Sequence, residues 1–228
     1  MENLPIYIAI VFGLTTLLTL VLFYKATNRS KTAFIVLLFW LSLQTIVALT
    51  DFYTITDTIP PRFLLLVMPP ILLIVVLFAT AKGRSFIDSL DIKVLTILHI
   101  VRVPVEIVLF WLFIYKVVPE LMTFEGRNFD IVSGITAPLI YYFGFVLKRL
   151  NKNIIILWNV LCLILLLNIV LNAVFSAPFP FQKFAFDQPN IAILYFPFIW
   201  LPTFIVPGVL FAHLVSIRQL TKSKLENK

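Results

Sequence analysis

Charged residues are scarce in this sequence, which also contains few glycines, two histidines and a single cysteine. Aspartate, glutamate, lysine and arginine make up 13% of the 228 residues, and hydrophobic residues make up 61%. A soluble domain carries roughly 25% charged residues, because it needs polar surface in water. The shortage of charge therefore excludes an ordinary water-soluble domain, and the mean hydropathy of +1.04 indicates a chain embedded in lipid.

The single cysteine and the placement of the basic residues exclude two further classes of protein. Cys162 lies in an apolar run, which gives neither a disulfide framework nor a thiolate metal cluster. The net charge is +7, but the basic residues lie between apolar runs and form no basic helix. They are typical of topology signals and headgroup contacts, so we expect the lipid bilayer, and no nucleic acid, as a partner.

Seven apolar segments are long enough to cross about 30 Å of hydrocarbon as helices. Backbone amides in lipid must pair within their own segment, which favours helices. The sequence therefore predicts an all-α, polytopic seven-transmembrane-helix bundle over residues 1–216, with a polar tail over 217–228. The predicted helices cover residues 5–24, 32–50, 63–80, 94–115, 131–147, 154–174 and 191–214.

The distribution of lysine and arginine predicts the orientation of the bundle. No basic residue precedes the first segment, whereas Lys25, Arg29 and Lys31 follow it, which favours an uncleaved anchor with its amino terminus outside. With that orientation, 13 of the 18 basic residues lie on the inner side. The positive-inside rule then predicts a cytoplasmic carboxyl terminus in a bacterial-type cytoplasmic membrane.

Three connections are predicted to have structure of their own. Residues 84–93 place apolar side chains on one helical face and charges on the other, which predicts a short amphipathic helix at the inner interface. The long outer loops, residues 119–130 and 176–190, interleave phenylalanine with polar residues. We expect these two loops to fold down onto the bundle as a cap.

The fourth segment contains His99, Arg102 and Glu106, which share one helical face because they are three and four residues apart. A charge at the bilayer centre costs at least ~2.5 kcal/mol on insertion scales, so this stripe calls for an explanation. Arg102 and Glu106 can pair within the helix or with partners on other helices. The stripe is interpreted either as an ion pair that holds helices together, or as a proton or ion relay or a counter-charge for a bound ligand.

His213 lies near the inner end of the seventh segment, at a depth close to that of His99. Two histidines on different helices at one depth are a candidate metal or haem site, although zinc sites generally use three or four ligands. Asn159 in the sixth segment is a candidate to complete that site or to bridge helices.

Polar residues also occur in the outer half of the bundle. Interhelical hydrogen bonds and a continuous polar column are the two interpretations of this track, which consists of Gln44, Asp51, Asn168 and Asn172. A second group lies in the outer loops and predicts either a site for a cation or polar solute or two loops joined by salt bridges. Its members are Glu125, Arg127, Asn128, Asp130 and Asp187.

The preferred function is transport or conduction of a small solute or ion, with Glu106 as the titrating group. Arg102 would then stabilise the anionic form of Glu106 or bind a substrate anion, and His99 would relay protons to the inner side. One alternative is a membrane-embedded enzyme or redox protein that uses His99 and His213 with a metal or haem, so enzymatic activity stays open. The other is a non-catalytic subunit or sensor that contacts a membrane protein partner or a second copy of the chain.

Overall fold

The computed structural model describes residues 4–225, and the side chains through residue 222. This part of the chain is all-helical, with 73% helix and no strand. It contains nine α-helices. They are α1 (Ile6–Ala26), α2 (Lys31–Ala48), α3 (Leu64–Ala79), α4 (Ala81–Asp88), α5 (Ile92–Leu98), α6 (Arg102–Ile114), α7 (Ile131–Ile140), α8 (Lys152–Ser176) and α9 (Val206–Leu225).

Several of these helices are joined by tighter or wider turns. A 3₁₀ turn, His99–Val101, connects α5 to α6 and makes one helix, Ile92–Ile114. A π-helical turn, Tyr141–Val146, extends α7, and another, Leu201–Ile205, precedes α9. Such wide turns occur where the regular ladder of backbone hydrogen bonds is interrupted.

Five helices are long and apolar enough to span a membrane. They are Ile6–Ala26, Lys31–Ala48, Ile92–Ile114, Lys152–Ser176 and Leu201–Lys222. A sixth is obtained if α3 and α4, which are bent by 94° at their junction, are taken as one span, and Ile131–Val146 is a shorter apolar helix. The outward faces of α1, α2, α3 and α8 expose apolar side chains such as Ile10, Phe39, Leu72 and Ile164, as a lipid-facing surface requires.

The last segment differs from its predicted bounds, 191–214. A 3₁₀ turn, Ala192–Leu194, is followed by an irregular stretch over residues 195–199 that includes Pro197, and the continuous helix begins only at about Trp200. At the other end, helix continues to Leu225, so residues 217–225 of the predicted polar tail belong to α9. Residues 226–228 lie outside the described part of the chain.

The bend at Thr80 turns α4 across the end of the bundle at which α9 ends. The Thr80 hydroxyl accepts a hydrogen bond from the Gly83 amide and caps α4. The predicted amphipathic helix, 84–93, therefore begins earlier and ends at Asp88. The Asp88 carboxylate binds the Arg218 guanidinium at 2.9 and 3.1 Å and the Lys222 ammonium at 3.1 Å, which ties α4 to α9. The hydrogen bond from the Arg218 guanidinium lowers the pKa of the Asp88 carboxyl, so Asp88 is ionised at neutral pH and can keep these contacts with α9.

A proline in α9 is matched by a tryptophan in α2. Pro207 has no amide hydrogen and cannot donate to the Thr203 carbonyl one turn earlier. The Trp40 indole Nε1 donates to that carbonyl instead, at 3.2 Å. In a membrane an unpaired carbonyl is costly, so this contact both satisfies the backbone and fixes α2 against α9.

The first turn of α7 lies unusually close to α6. A Cβ atom added at Gly134 would lie 2.8 Å from Val103 Cγ2, 3.0 Å from the Val103 backbone nitrogen and 3.2 Å from Arg102 Cβ. These distances are too short for any residue larger than glycine unless the two helices separate. Gly134 therefore permits the close approach that brings α7 beside Arg102.

Substitution of Gly134 tests this packing. Gly134→Ala should lower the thermal unfolding midpoint in detergent micelles, because the methyl group pushes α7 away from α6. Gly13→Ala in α1 is the matched control, since nothing lies within 4 Å of an added Cβ there. Alanine is also the better helix former by about 1 kcal/mol. Equal midpoints for the two variants would contradict the proposed close contact.

Candidate functional site

The polar stripe of the fourth predicted segment faces the interior of the bundle. His99 is fully buried, and Arg102 and Glu106 are each 2% exposed. Their face is covered by the start of α7, which packs on α6 and on the 3₁₀ turn, and by Trp158 of α8 and His213 of α9, whose rings contact His99. The three side chains therefore meet protein groups and not acyl chains.

Arg102 binds partners from two other elements. Its Nη1 donates to Asp130 Oδ1 at 2.7 Å, in a salt bridge whose side chains are both buried. Its Nη2 lies 3.1 Å from Nε2 of His213 on α9. Asp130 directly precedes α7, where the partial positive charge of the helix amino terminus also favours a carboxylate. The sequence left open whether Arg102 pairs within its own helix or with another element. In the structure it pairs with Asp130, outside its own helix.

The contacts of His213 define its tautomer. An arginine guanidinium has only donors, so Nε2 of His213 must accept, and this imidazole is neutral. The hydrogen is then on Nδ1, which donates to Asn159 Oδ1 at 2.8 Å. The Asn159 amide donates in turn to the Ile155 carbonyl at 2.8 Å. The predicted residues Asn159 and His213 thus lie in one hydrogen-bonded chain with Arg102.

His99 is stacked on His213. The ring centroids are 3.8 Å apart and the planes differ by 16°, while the Trp158 ring meets His99 edge-on at 5.5 Å. Within the described residues, neither ring nitrogen of His99 has a hydrogen-bond partner. A metal ion lies in the plane of each imidazole that binds it, and two nearly parallel stacked planes do not share such a position. This arrangement does not favour a metal or haem iron held jointly by the two histidines.

Glu106 is held by an amide and not by a cation. Both of its carboxylate oxygens accept from Asn128 Nδ2, at 2.6 and 2.7 Å. Asn128 Oδ1 accepts from the Asp130 backbone amide at 3.0 Å, so Asn128 links Glu106 to the Arg102–Asp130 pair. Among residues 4–222, no basic side chain forms a salt bridge with Glu106.

Asn128 and Asp130 were assigned from sequence to the outer loops, and the structure places both inside the buried network. The loop folds inward after Met122, so its last residues lie beside the middle of α6. Sequence contained one signal for this placement: Asp130 immediately precedes an apolar segment, and the buried Arg102 needs an anionic partner. The other loop residues of that group, Glu125, Arg127 and Asp187, are exposed.

A chamber of about 330 Å³ adjoins the network. Arg102, Glu106 and Asp130 contribute the charged part of its lining, and the rest is almost entirely apolar. Its walls come from α3, α8, the Leu201–Ile205 turn and α9, including Phe63, Val67, Ile71, Leu166, Leu167, Val170, Ala173, Ile205 and Leu210. The site thus combines a polar end with a hydrocarbon-like body, as small-molecule pockets commonly do.

The predicted outer-half residues serve local contacts. Gln44 accepts a hydrogen bond from the Tyr53 hydroxyl at 2.5 Å, and Asp51 is exposed in a left-handed turn. The Asn168 amide donates to the Arg127 carbonyl at 2.8 Å, and Asn172 donates to Asn168 at 3.4 Å. In the described part of the chain, none of these bonds reaches the network around Arg102.

The two predicted outer loops meet where the Arg127 guanidinium lies 6.0 Å from the ring centroid of Phe184, and the second loop is also bonded to the bundle. Gln188 donates to the carbonyls of Val118 at 2.6 Å and Phe113 at 3.0 Å. The backbone amide of Ile191 donates to the Val117 carbonyl at 3.1 Å. These bonds fix the second loop to the end of α6 and to residues 117 and 118, which precede the first loop.

Comparison with known proteins gives one match. A family model described as Domain of unknown function (DUF8737) matches residues 59–221, and the chain therefore belongs to this family. No curated protein and no solved structure matches the chain. The matched region contains the whole buried network and every residue that lines the chamber.

The buried salt bridge gives a direct test of the network. Asp130→Asn should leave the Arg102 charge buried without its partner, which typically costs about 3–5 kcal/mol. We expect a large fall in the thermal unfolding midpoint, measured by tryptophan fluorescence in detergent. Asp57→Asn makes the same chemical change on an exposed loop and should leave the midpoint unchanged. A small effect of Asp130→Asn, comparable to that of the control, would show that the pair does not stabilise the bundle.

Proposed function

We propose that this member of the family is a multi-pass protein of a bacterial-type cytoplasmic membrane that moves a small solute or ion, coupled to protons. The observation that carries the proposal is the chamber, whose lining includes three buried ionisable groups of one hydrogen-bonded network. Ionisable groups inside a membrane protein are costly and typically serve transport pathways or relays. A chamber beside them supplies space for a solute.

Under this proposal seven segments cross the bilayer. The two short ones are α3 and the Ile131–Val146 helix, of 16 residues each, which reach about 24 Å at 1.5 Å per residue. Both are short of the full hydrocarbon thickness, and α3 is continued along the inner interface by α4. The predicted orientation, amino terminus outside and carboxyl terminus inside, is supported by the 13 basic residues assigned to the inner side.

Glu106 is the group that we expect to gain and lose a proton. Arg102 is already bound to Asp130 and His213, so its charge is compensated in either state of Glu106. The Asn128 amide can hold the Glu106 carboxylate, but it adds no charge. His99 lies one turn of helix before Arg102, and its ring nitrogens have no hydrogen-bond partner in the part of the chain that the structure describes. We expect it to pass protons towards the inner side.

The alternatives derived from sequence are less well supported. The stacked geometry of His99 and His213 disfavours the metal or haem enzyme. A role as a partner subunit is favoured only by exposed aromatic side chains on the outer loops, chiefly Phe129 and Phe186. Aromatic residues also occupy membrane interfaces without any protein partner.

Cysteine labelling tests the proposed orientation. The background is Cys162→Ala, into which Asp187→Cys and Lys82→Cys are introduced separately; both native side chains are exposed. In intact cells, a membrane-impermeant maleimide should label the residue 187 variant and should reach the residue 82 variant only after the membrane is permeabilised. The opposite pattern, or labelling of both in intact cells, would overturn the proposed topology.

Proton flux tests the role of Glu106. Proteoliposomes containing a pH-sensitive dye would be loaded with sodium, potassium and benzyltrimethylammonium chloride and the common amino acids, and then exposed to an acid step in the same mixture. The wild-type protein should accelerate acidification relative to empty liposomes, and Glu106→Gln should abolish that acceleration while its unfolding midpoint stays near wild type. Asp57→Asn is the matched control and should behave as wild type. Equal rates for wild-type and empty liposomes would reject proton-coupled transport, and wild-type flux in Glu106→Gln would remove Glu106 from it.

A further inference from the structure

The charges that line the chamber do not balance. Arg102 and Asp130 form a pair at 2.7 Å and neutralise each other. The remaining charged group is Glu106, whose two carboxylate oxygens accept hydrogen bonds from the neutral Asn128 amide. When Glu106 is ionised, these three residues therefore carry one net negative charge beside an apolar cavity. Such a charge has to be neutralised, either by a proton or by a cation that enters the chamber.

The apolar lining of the chamber favours a ligand with an apolar body. On one side it is lined by Val67 and Ile71 of α3 and by Phe63, which directly precedes α3, and on the other by residues of α8. Both helices pack on the Leu201–Leu225 segment, with the chamber between them. Its α8 wall includes Leu167, which is 48% exposed on the apolar outer surface. A hydrated metal cation would have to lose its water against hydrocarbon, whereas a cation with an aryl or alkyl body would not.

We infer that the chamber binds a small lipophilic monocation, with its ammonium group at Glu106 and its apolar body between α3 and α8, and that this ligand enters from the bilayer side. The inference rests on the proposed function and names its substrate class. The volume, about 330 Å³, suits a ligand near the lower end of the usual range for small-molecule sites, roughly 300–1,000 Å³. Phe63 supplies an aromatic face in the same lining.

Proton coupling follows from the same carboxylate. A bound cation and a bound proton both neutralise Glu106, so the presence of one excludes the other. Exchange of the two on opposite sides of the membrane would then couple outward movement of the cation to inward movement of protons. The titratable and charged groups around Glu106 are Arg102 and His99 on the same span, Asp130 before α7, Cys162 on α8 and His213 on α9.

One feature of the lining favours an anion instead. Within the described residues, the Arg102 Nε atom is buried without a hydrogen-bond partner, and it is a donor. An anion at this donor would, however, add a third negative charge beside two carboxylates and one guanidinium. A cation leaves the three side chains and the ligand neutral in total. The charge count therefore outweighs the single free donor, and the two choices are separable by experiment.

Three probes of nearly the same shape separate them. Benzyltrimethylammonium, its neutral carbon isostere neopentylbenzene and the anion phenylmethanesulfonate would be titrated into wild-type protein in nanodiscs near neutral pH, with empty nanodiscs as the reference. The cation should bind about tenfold or more tightly than either analogue, since loss of one charge contact is typically worth at least a tenfold change in affinity. Preference for the anion, equal binding of all three, or no binding would each overturn the inference.

Variants then place the cation at Glu106. Glu106→Gln should abolish the preference for the cation, Glu106→Asp should keep it because the charge is retained, and Asp57→Asn should not change it. Retained preference in folded Glu106→Gln would put the cation elsewhere. The binding assay requires no flux, so a failure of the proposed substrate class can be distinguished from a failure of the proposed transport function. Glu106-dependent proton flux without probe binding removes the substrate class alone, and cation binding without flux removes the transport step.

Discussion

The buried pair of Arg102 and Asp130 is the interaction on which the rest of the structure depends. An unpaired guanidinium inside a bilayer protein is expensive, so the chain has to bring an anion to it. That requirement places the start of α7 against α6, where Gly134 permits a short separation between the helices. It also pulls the end of the first outer loop into the bundle, and with it Asn128, which reaches Glu106. The bond from Arg102 to His213 extends the same constraint to α9 and, through Asn159, to α8.

Sequence alone predicted the parts of this arrangement that follow from local rules. The helical spacing of His99, Arg102 and Glu106 put them on one face, and the cost of intramembrane charge turned that face inward. Residue counts along the apolar segments grouped His99, Asn159 and His213, and in the structure His213 contacts both of the others. The helical class and most helix bounds followed from apolar segment length. The seven-span count and the orientation remain predictions, since the structure has five helices long enough to span, or six with the bent pair.

What sequence could not give is the path of the connections. The partner of Arg102 comes from a loop 28 residues away, and loop residues carry no periodic pattern that fixes their depth. Asn128 and Asp130 therefore looked like members of a surface group, although one holds Glu106 and the other Arg102. The start of the last helix shows the same limit. Pro207 leaves the Thr203 carbonyl without its helical donor, and only the tertiary structure shows that Trp40 donates to this carbonyl instead.

The two acidic side chains of the network, Asp130 and Glu106, have different partners. Asp130 forms a salt bridge with Arg102 at 2.7 Å. Removing either charge would leave the other buried without a partner, so this pair is suited to stabilising the fold. Glu106 lies on the same network through Asn128 but has no counter-charge of its own in the described residues, and it borders the chamber. A group that can change its charge without breaking a salt bridge can do so repeatedly without unfolding its surroundings. Under the proposed function, Asp130 is the structural charge and Glu106 the charge that is exchanged, and the Asn128 amide links the two.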